Sequence, residues 1–259
     1  MQKITLFDII DYKTIEINEF KKIHKFSEFE KQIPKKQKSF FKSLKDSDCG
    51  IIAEIKRKSP SEGIICTLFN PQEIAHEYTE IGVNAISVLT DKNFFGGDIK
   101  YLESVASVTD IPLLRKDFII DEIQLLEARA CGASASLLIV SALKQARLEQ
   151  LINFCKELEM DALVEIHTVD EVKIAIDSGA SIIGVNNRDL KTFKVNLEIS
   201  KNILPMIPHE FLKISESGIS SSKDIKELKA KGADAFLIGT AFMRSNEKKE
   251  FLNKLLHEN

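Results

Sequence analysis

The sequence contains no tryptophan, and only four cysteines and five histidines among 259 residues. The cysteines (Cys49, Cys66, Cys131, Cys155) are scattered, with no C-x-x-C pair and no histidine at metal-ligand spacing. That pattern argues against a disulfide framework or a zinc module and reads as free thiols in a reducing cytoplasm. Net charge is −3, so no global excess of one sign points to nucleic acid or a membrane surface. No apolar run reaches the ~18 residues of a membrane span. The opening MQKITLFDII lacks a long apolar core and a small-residue cleavage site, so no signal peptide is expected. No G-x-G-x-x-G follows the first strand candidate, which removes the usual dinucleotide fingerprint. What is present is an ordinary balance of 44% hydrophobic and 29% charged residues, enough for one large α/β domain or two small ones.

Four segments repeat one pattern: IGVNAISVLTD, CGASASLLIV, SGASIIGVNN and KGADAFLIGT. Each closes a helix-like stretch with a glycine (Gly82, Gly132, Gly179, Gly232) and then runs as a short apolar strand. Glycine suits the left-handed position that ends a helix, and near-continuous apolar strands suit a parallel sheet covered on both sides. IPLLRKDF, DALVEIH, FLKISES and the opening CGIIAEIK add four strand candidates, with amphipathic helices such as DEIQLLEARA and SKDIKELKAK between. Eight β-α units over about 210 residues predict a closed (β/α)8 barrel, with a doubly wound open sheet as the alternative. The expected layout is a single domain over 1–259: a helical extension over 1–48, then the barrel over 49–259. Residues 21–45 hold nine lysines against Glu28 and Glu30. These lysines read mainly as a solvated face, and secondarily as a cover that draws an anion to the barrel mouth.

Side chains of a strand alternate faces. In IIAEIKRKSPSEG, Ile52, Glu54 and Lys56 share one face and Ala53 and Ile55 the other. The same alternation puts Lys116 with Leu114, Glu165 with Leu163 and His167, Asn186 and Arg188 with Gly184, and Glu216 with Ile214. Three acids and three bases therefore face inward near the strand ends. Burying a charge costs several kcal/mol, so a barrel without a function fills such places with aliphatic residues. Converging charges at the end of the barrel where catalysis occurs read as an active site. The turns SESGI and LIGTAF after strands seven and eight carry glycine beside a small residue, suited to cradling a phosphate with backbone N–H groups.

Taken in order, IIAEIKRKSPSEG, VLTDKNFFGG, LLRKDFII, LVEIH, GVNNRDL, SESGI and LIGTAFM resemble motifs of the indole-3-glycerol phosphate synthase family of tryptophan biosynthesis, over nearly the whole chain. The resemblance implies conversion of 1-(2-carboxyphenylamino)-1-deoxyribulose 5-phosphate to indole-3-glycerol phosphate, with release of carbon dioxide and water. It implies no redox cofactor and no metal. Lys116 is then the expected general acid at the carbonyl oxygen, its pKa lowered toward neutral by partial desolvation. Lys56 faces the substrate carboxylate or serves dehydration, and Glu165 and Glu54 shuttle protons. Asn186 and Glu216 orient substrate hydroxyls and the lysines, and Arg188 holds the site or contacts substrate. Ser59, Ser217, Gly218, Gly239 and Thr240 bind phosphate, Pro60 stiffens a lid-like turn, and Phe94 or Phe95 walls the aromatic ring. The expected partner is a phosphorylated small molecule, without nucleic acid or membrane. The expected form is a monomer that associates with other tryptophan-pathway enzymes. Two other readings are a phosphoribosylanthranilate isomerase-like barrel, which would use Cys and Asp, and a non-catalytic barrel scaffold.

Overall fold

The structure is a computed structural model, and it describes residues 5–34, 38–189 and 192–257. Met1 to Ile4, Lys35, Lys36, Leu190 and the chain's last two residues, which belong to the stretches assigned above, lie outside the described residues.

Eight strands run in chain order around a closed barrel: β1 (Gly50–Ile55), β2 (Ala85–Leu89), β3 (Leu113–Lys116), β4 (Ala135–Ile139), β5 (Asp161–Ile166), β6 (Ile182–Asn186), β7 (Leu212–Glu216) and β8 (Ala235–Ile238). All neighbours are parallel. The ring closes through β1 and β8, with Gly50 opposite Ala235 and Ala53 opposite Ile238. This closure rules out the open-sheet alternative, because an open sheet leaves two unpaired edges. Helices α4 (Pro71–Ile81), α5 (Ile99–Ala106), α6 (Glu122–Ala130), α7 (Gln145–Glu157), α8 (Val169–Asp177), α9 (Glu198–Ile203) and α10 (Ser222–Ala230) connect successive strands. After β8 come α11 (Thr240–Arg244) and α12 (Lys248–His257). The four repeat glycines all have positive φ, at 81°, 92°, 84° and 98°, as their position at helix ends requires.

The alternation of each strand separates two cores. Ile51, Ala53 and Ile55 pack outward against the helices, with Ile86, Val88, Leu138, Val164 and Val185. Ile52, Leu114, Leu137, Leu163, Ile214 and Leu237 fill the barrel interior. The extension packs against both ends of that interior. Helix α3 (Phe40–Lys45) buries Phe40 and Leu44 in the inner core at the start of the strands. There Asp161 Oδ2 accepts the N–H of Phe41 at 2.9 Å, and the Ser43 hydroxyl donates to the Asn84 carbonyl at 2.6 Å. Helix α1 (Leu6–Ile23) starts at a Thr5–Asp8 capping box and lies against the opposite end through Leu6, Ile9 and Lys13; the short α2 (Phe26–Glu30) follows it. Lys21, Lys22, Lys25, Lys31, Lys38, Lys42 and Lys45 are exposed. No helix among the described residues is long and apolar enough to cross a membrane.

Candidate functional site

At the C-terminal ends of the strands the interior opens into a cavity of ≈ 460 Å³. The strands divide its walls by chemistry. Leu89 of β2, Leu137 and Ile139 of β4 and Leu237 of β8 supply apolar surface, joined by Phe95 and Phe118. Strands β1, β3, β5, β6 and β7 supply Glu54, Lys116, Glu165, Asn186 and Glu216, and the residues just beyond supply Lys56, Arg188, Ser217 and Gly218. Ser59, Pro60, Gly239 and Thr240 also line it. The residues singled out by alternation and motif thus meet in one space, with Phe94 excepted. Its N–H donates to Asp91 Oδ1 at 2.8 Å and its ring stands edge-on to Tyr12 at 5.8 Å. The cavity takes Phe95 in its place, because the turn sends neighbouring side chains to opposite sides.

Lys116 is the centre of the charged wall. Its Nζ donates to Glu165 Oε2 at 2.7 Å and to Glu216 Oε2 at 2.9 Å, while Glu54 pairs with Lys56 at 2.6 Å. The expectation of a lowered lysine pKa is corrected here. Burial pushes the Lys116 ammonium down, but Glu165, Glu216 and Glu54 outweigh it, and its pKa stands above the ordinary lysine value. The carboxyls separate. Burial would raise Glu165, but Lys116 and then His167 bring it down to about 2. Burial pushes Glu216 up to about 7; Lys116 opposes that and Glu165 adds to it. Two buried carboxyls that share one lysine titrate as a coupled pair, and such a pair can both hold and relay protons. His167 Nε2 lies 3.5 Å from Glu165 Oε1, and among the described residues neither ring nitrogen has a hydrogen-bond partner.

Gly184, on the inward face of β6, makes room for this triad. A Cβ there would lie 2.2 Å from Glu216 Oε1 and 3.0 Å from Leu163 Cδ1. Gly184→Ala is expected to push Glu216 off Lys116 and to reduce kcat about 10-fold or more, with KM less affected. Steady-state kinetics check this, and an unchanged kcat would mean that Glu216 can shift without consequence.

A second charged layer, which strand alternation does not mark, lies beside the site. Lys13 of α1 is 1% exposed, and its Nζ lies 3.2 Å from Asp91 Oδ2, 3.0 Å from Asp117 Oδ1 and 3.0 Å from Glu16 Oε1. Asp117 also accepts from the Thr90 hydroxyl at 2.6 Å and Arg115 Nη2 at 3.2 Å, and Arg115 Nη1 donates to Glu127 at 2.8 Å. Asp91 holds the amides of Phe94 and Phe95. The network therefore braces the turns that carry Lys116 and Phe95, and both Asp91 and Asp117 line the cavity. A lysine at an apolar spacing on an otherwise amphipathic helix was the available signal.

Burial would raise the Asp117 carboxyl, but Lys13, Arg115 and the Thr90 hydroxyl bring it down to about 2 from an ordinary 3.8. A depressed folded-state pKa gives stability that is full above 3.8 and is lost as pH falls through 2. Asp117 alone is worth about 2 kcal/mol in that window. Asp117→Asn is expected to flatten the acid limb of stability between pH 4 and 2 in denaturant titrations. An unchanged limb would assign acid unfolding to other carboxylates.

At the cavity mouth, Ser217 and Gly218 have φ of 68° and 83°, a left-handed pair that costs energy at the serine. Buried Asn187 holds this turn, donating to Ser217 O and Ser215 Oγ, each at 3.1 Å. The alternation places Asn187 outward, and its role comes from these contacts. Gly218, Ile219 and Gly239 line the cavity, and among the described residues their N–H groups donate to no backbone carbonyl or side chain, which leaves them available to an anion. Arg188 reaches across from β6, its Nη1 donating to Phe193 O at 2.9 Å and Ser61 Oγ at 3.1 Å. Among the described residues no cluster of three or more His, Cys, Asp or Glu side chains is arranged to hold a metal ion.

The fold alone is shared with thiamine phosphate pyrophosphorylase from Pyrococcus furiosus, at a TM-score of 0.60 and 16% identity over 80% of this chain and 94% of that one. Sequence relatives are nearer. An indole-3-glycerol phosphate synthase of Leptospira interrogans is 46% identical over 91% of this chain and 92% of its own. That of Aliarcobacter butzleri is 44% identical over 88% and 89%, and that of Chloroherpeton thalassium 49% over 75% of each chain. The family model described as indole-3-glycerol phosphate synthase matches residues 6–255. With the barrel, the inward charges and the glycine turns in place, this match over almost the entire length settles the kinship: the chain belongs to the indole-3-glycerol phosphate synthase family.

Proposed function

We propose that this chain carries out its family's reaction with Lys116 as the general acid. It acts on 1-(2-carboxyphenylamino)-1-deoxyribulose 5-phosphate and forms indole-3-glycerol phosphate in tryptophan biosynthesis. The observation that carries the assignment of roles is the placement of Lys116. It stands protonated between two buried carboxylates, flanked by the apolar side chains that β2 and β4 supply to the cavity. Ring closure turns a carbonyl oxygen into an alkoxide as the aromatic carbon attacks. An alkoxide is a far stronger base than an amine, so Lys116 gives up its proton without a lowered pKa. Glu216, exchanging near neutrality, then reloads it. Loss of carbon dioxide returns the bonding electrons to the benzene ring and restores its aromaticity; the hydroxyl then leaves as water while a proton is taken from the adjacent carbon, which completes the indole. Glu165 and Glu54 move protons in this last step, and Lys56 pairs with the substrate carboxylate before it leaves. Phe95 and the aliphatic wall hold the aromatic ring. Ser59, Arg188, Thr240 and the open amides at Gly218 and Gly239 take the phosphate. The protein works as a monomer in the cytoplasm, in keeping with four free thiols, and associates with enzymes of the same pathway.

The chain has no tryptophan, so indole fluorescence formed from the substrate is read without a tryptophan background. Indole formation that saturates with substrate is the expected result; saturable binding with no indole would overturn the proposal. The isomerase-like reading is not favoured, since no cysteine lines the cavity and Asp91 and Asp117 are both committed to Lys13.

A further inference from the structure

One cavity-lining carboxylate has no lysine and no part in the chemistry above. Glu62 sits in the turn after β1, between the short paired strands Lys58–Ser59 and Gly63–Ile64. The turn is closed by the Glu62 N–H donating to Ser59 Oγ at 3.2 Å. Its side chain crosses to the far rim: Oε2 lies 2.8 Å from Arg244 Nη2, and Oε1 lies 3.8 Å from Arg188 Nη2. Oε1 also accepts from the Thr240 hydroxyl at 3.4 Å. The other lining carboxylates, Glu54, Asp91, Asp117, Glu165 and Glu216, are all paired with lysines. Among the described residues, Glu62 is the carboxylate paired with the two arginines of the mouth.

We propose that Glu62 is an internal anion: it occupies the arginines and hydroxyl that receive the substrate phosphate, and the arriving phosphate displaces it. This rests on the phosphate-site reading above. A carboxylate set against two guanidinium groups and a hydroxyl occupies positions that a phosphate oxygen would take. The carboxylate carries one charge and a phosphate nearly two, so the dianion wins the exchange while singly charged ligands compete poorly. Glu62 thereby filters for a dianion. Its displacement frees the turn, where Gly63 has a φ of 66° and open space around it, to settle over bound substrate. The competition also weakens apparent phosphate affinity, because the site is open only part of the time.

The test measures inorganic phosphate as a competitive inhibitor of indole formation in wild type, Glu62→Gln, Glu62→Ala and Arg188→Ala. Both Glu62 variants are expected to bind phosphate more tightly, roughly two- to five-fold, the size of a partly exposed ion pair; KM for substrate should fall in parallel. A structural role for Glu62 would move affinity the other way. Unchanged or weaker phosphate binding in both Glu62 variants, with Arg188→Ala weakening it, overturns the proposal and leaves the phosphate site standing. Phosphate that fails to compete in any of the four proteins overturns the phosphate-site reading itself.

Discussion

Lys116→Ala lowers kcat by about 10²- to 10⁴-fold, the range a general acid supplies, while substrate affinity changes little. The expectation follows from what Lys116 touches. It is bonded to Glu165 and Glu216 and sits well inside the cavity, whereas Arg188, Arg244 and the glycine turns lie at the mouth. Removing the ammonium also leaves two buried carboxylates facing one another, and one of them then takes up a proton. Lys116→Met keeps the bulk and separates lost acid from lost packing. Single-turnover indole fluorescence beside equilibrium binding of substrate makes the distinction. A kcat within ten-fold of wild type in both variants would hand the acid role to another residue. A large rise in Kd with the rate constant intact would make Lys116 a binding group.

Lys13→Met costs about 3–5 kcal/mol of stability, as expected when one partner of a buried ion pair is removed. Burial pushes the Lys13 ammonium down, but Asp117, Asp91 and Glu16 more than reverse this, so the lysine is charged at neutral pH. In its absence Asp91 loses its only counter-ion among the described residues, while Asp117 keeps Arg115. The Phe94–Phe95 turn, whose amides Asp91 holds, is expected to loosen first, raising KM. Denaturant midpoints of Lys13→Met, Asp91→Asn and the double variant form a thermodynamic cycle. A double variant more stable than the sum of the singles confirms the pairing. Strict additivity would mean that Lys13 stabilises α1 in some other way.

Much of the architecture and most of the cavity were legible in the chain. A period of two is a local property, so Glu54, Lys116, Glu165, Asn186 and Glu216 could be assigned to the inside of a barrel before any strand was paired. Glycine after each helix marked the repeat for an equally local reason, the left-handed conformation at its end. The Phe94–Phe95 pair was beyond this reasoning, because a turn has no period. Its direction is set by Asp91, which takes both amides.

The sequence by itself determined which side chains point inward, how many strands the barrel has, and which turns can present bare amides. Those features depend on bonds along the chain and on the handedness of single residues. Only the tertiary structure decided the electrostatics. The state of Lys116 depends on carboxylates delivered by β5 and β7, strands far from it in sequence, and their combined pull reverses the effect that burial alone would have. Lys13 reads as one more cation on a lysine-rich extension until the fold sets it between Asp91 and Asp117. Glu62 reads as a turn residue until two arginines from other loops arrive. Charge acts through space and burial scales it, so a residue's partners set its chemistry, and for these residues folding supplies the partners.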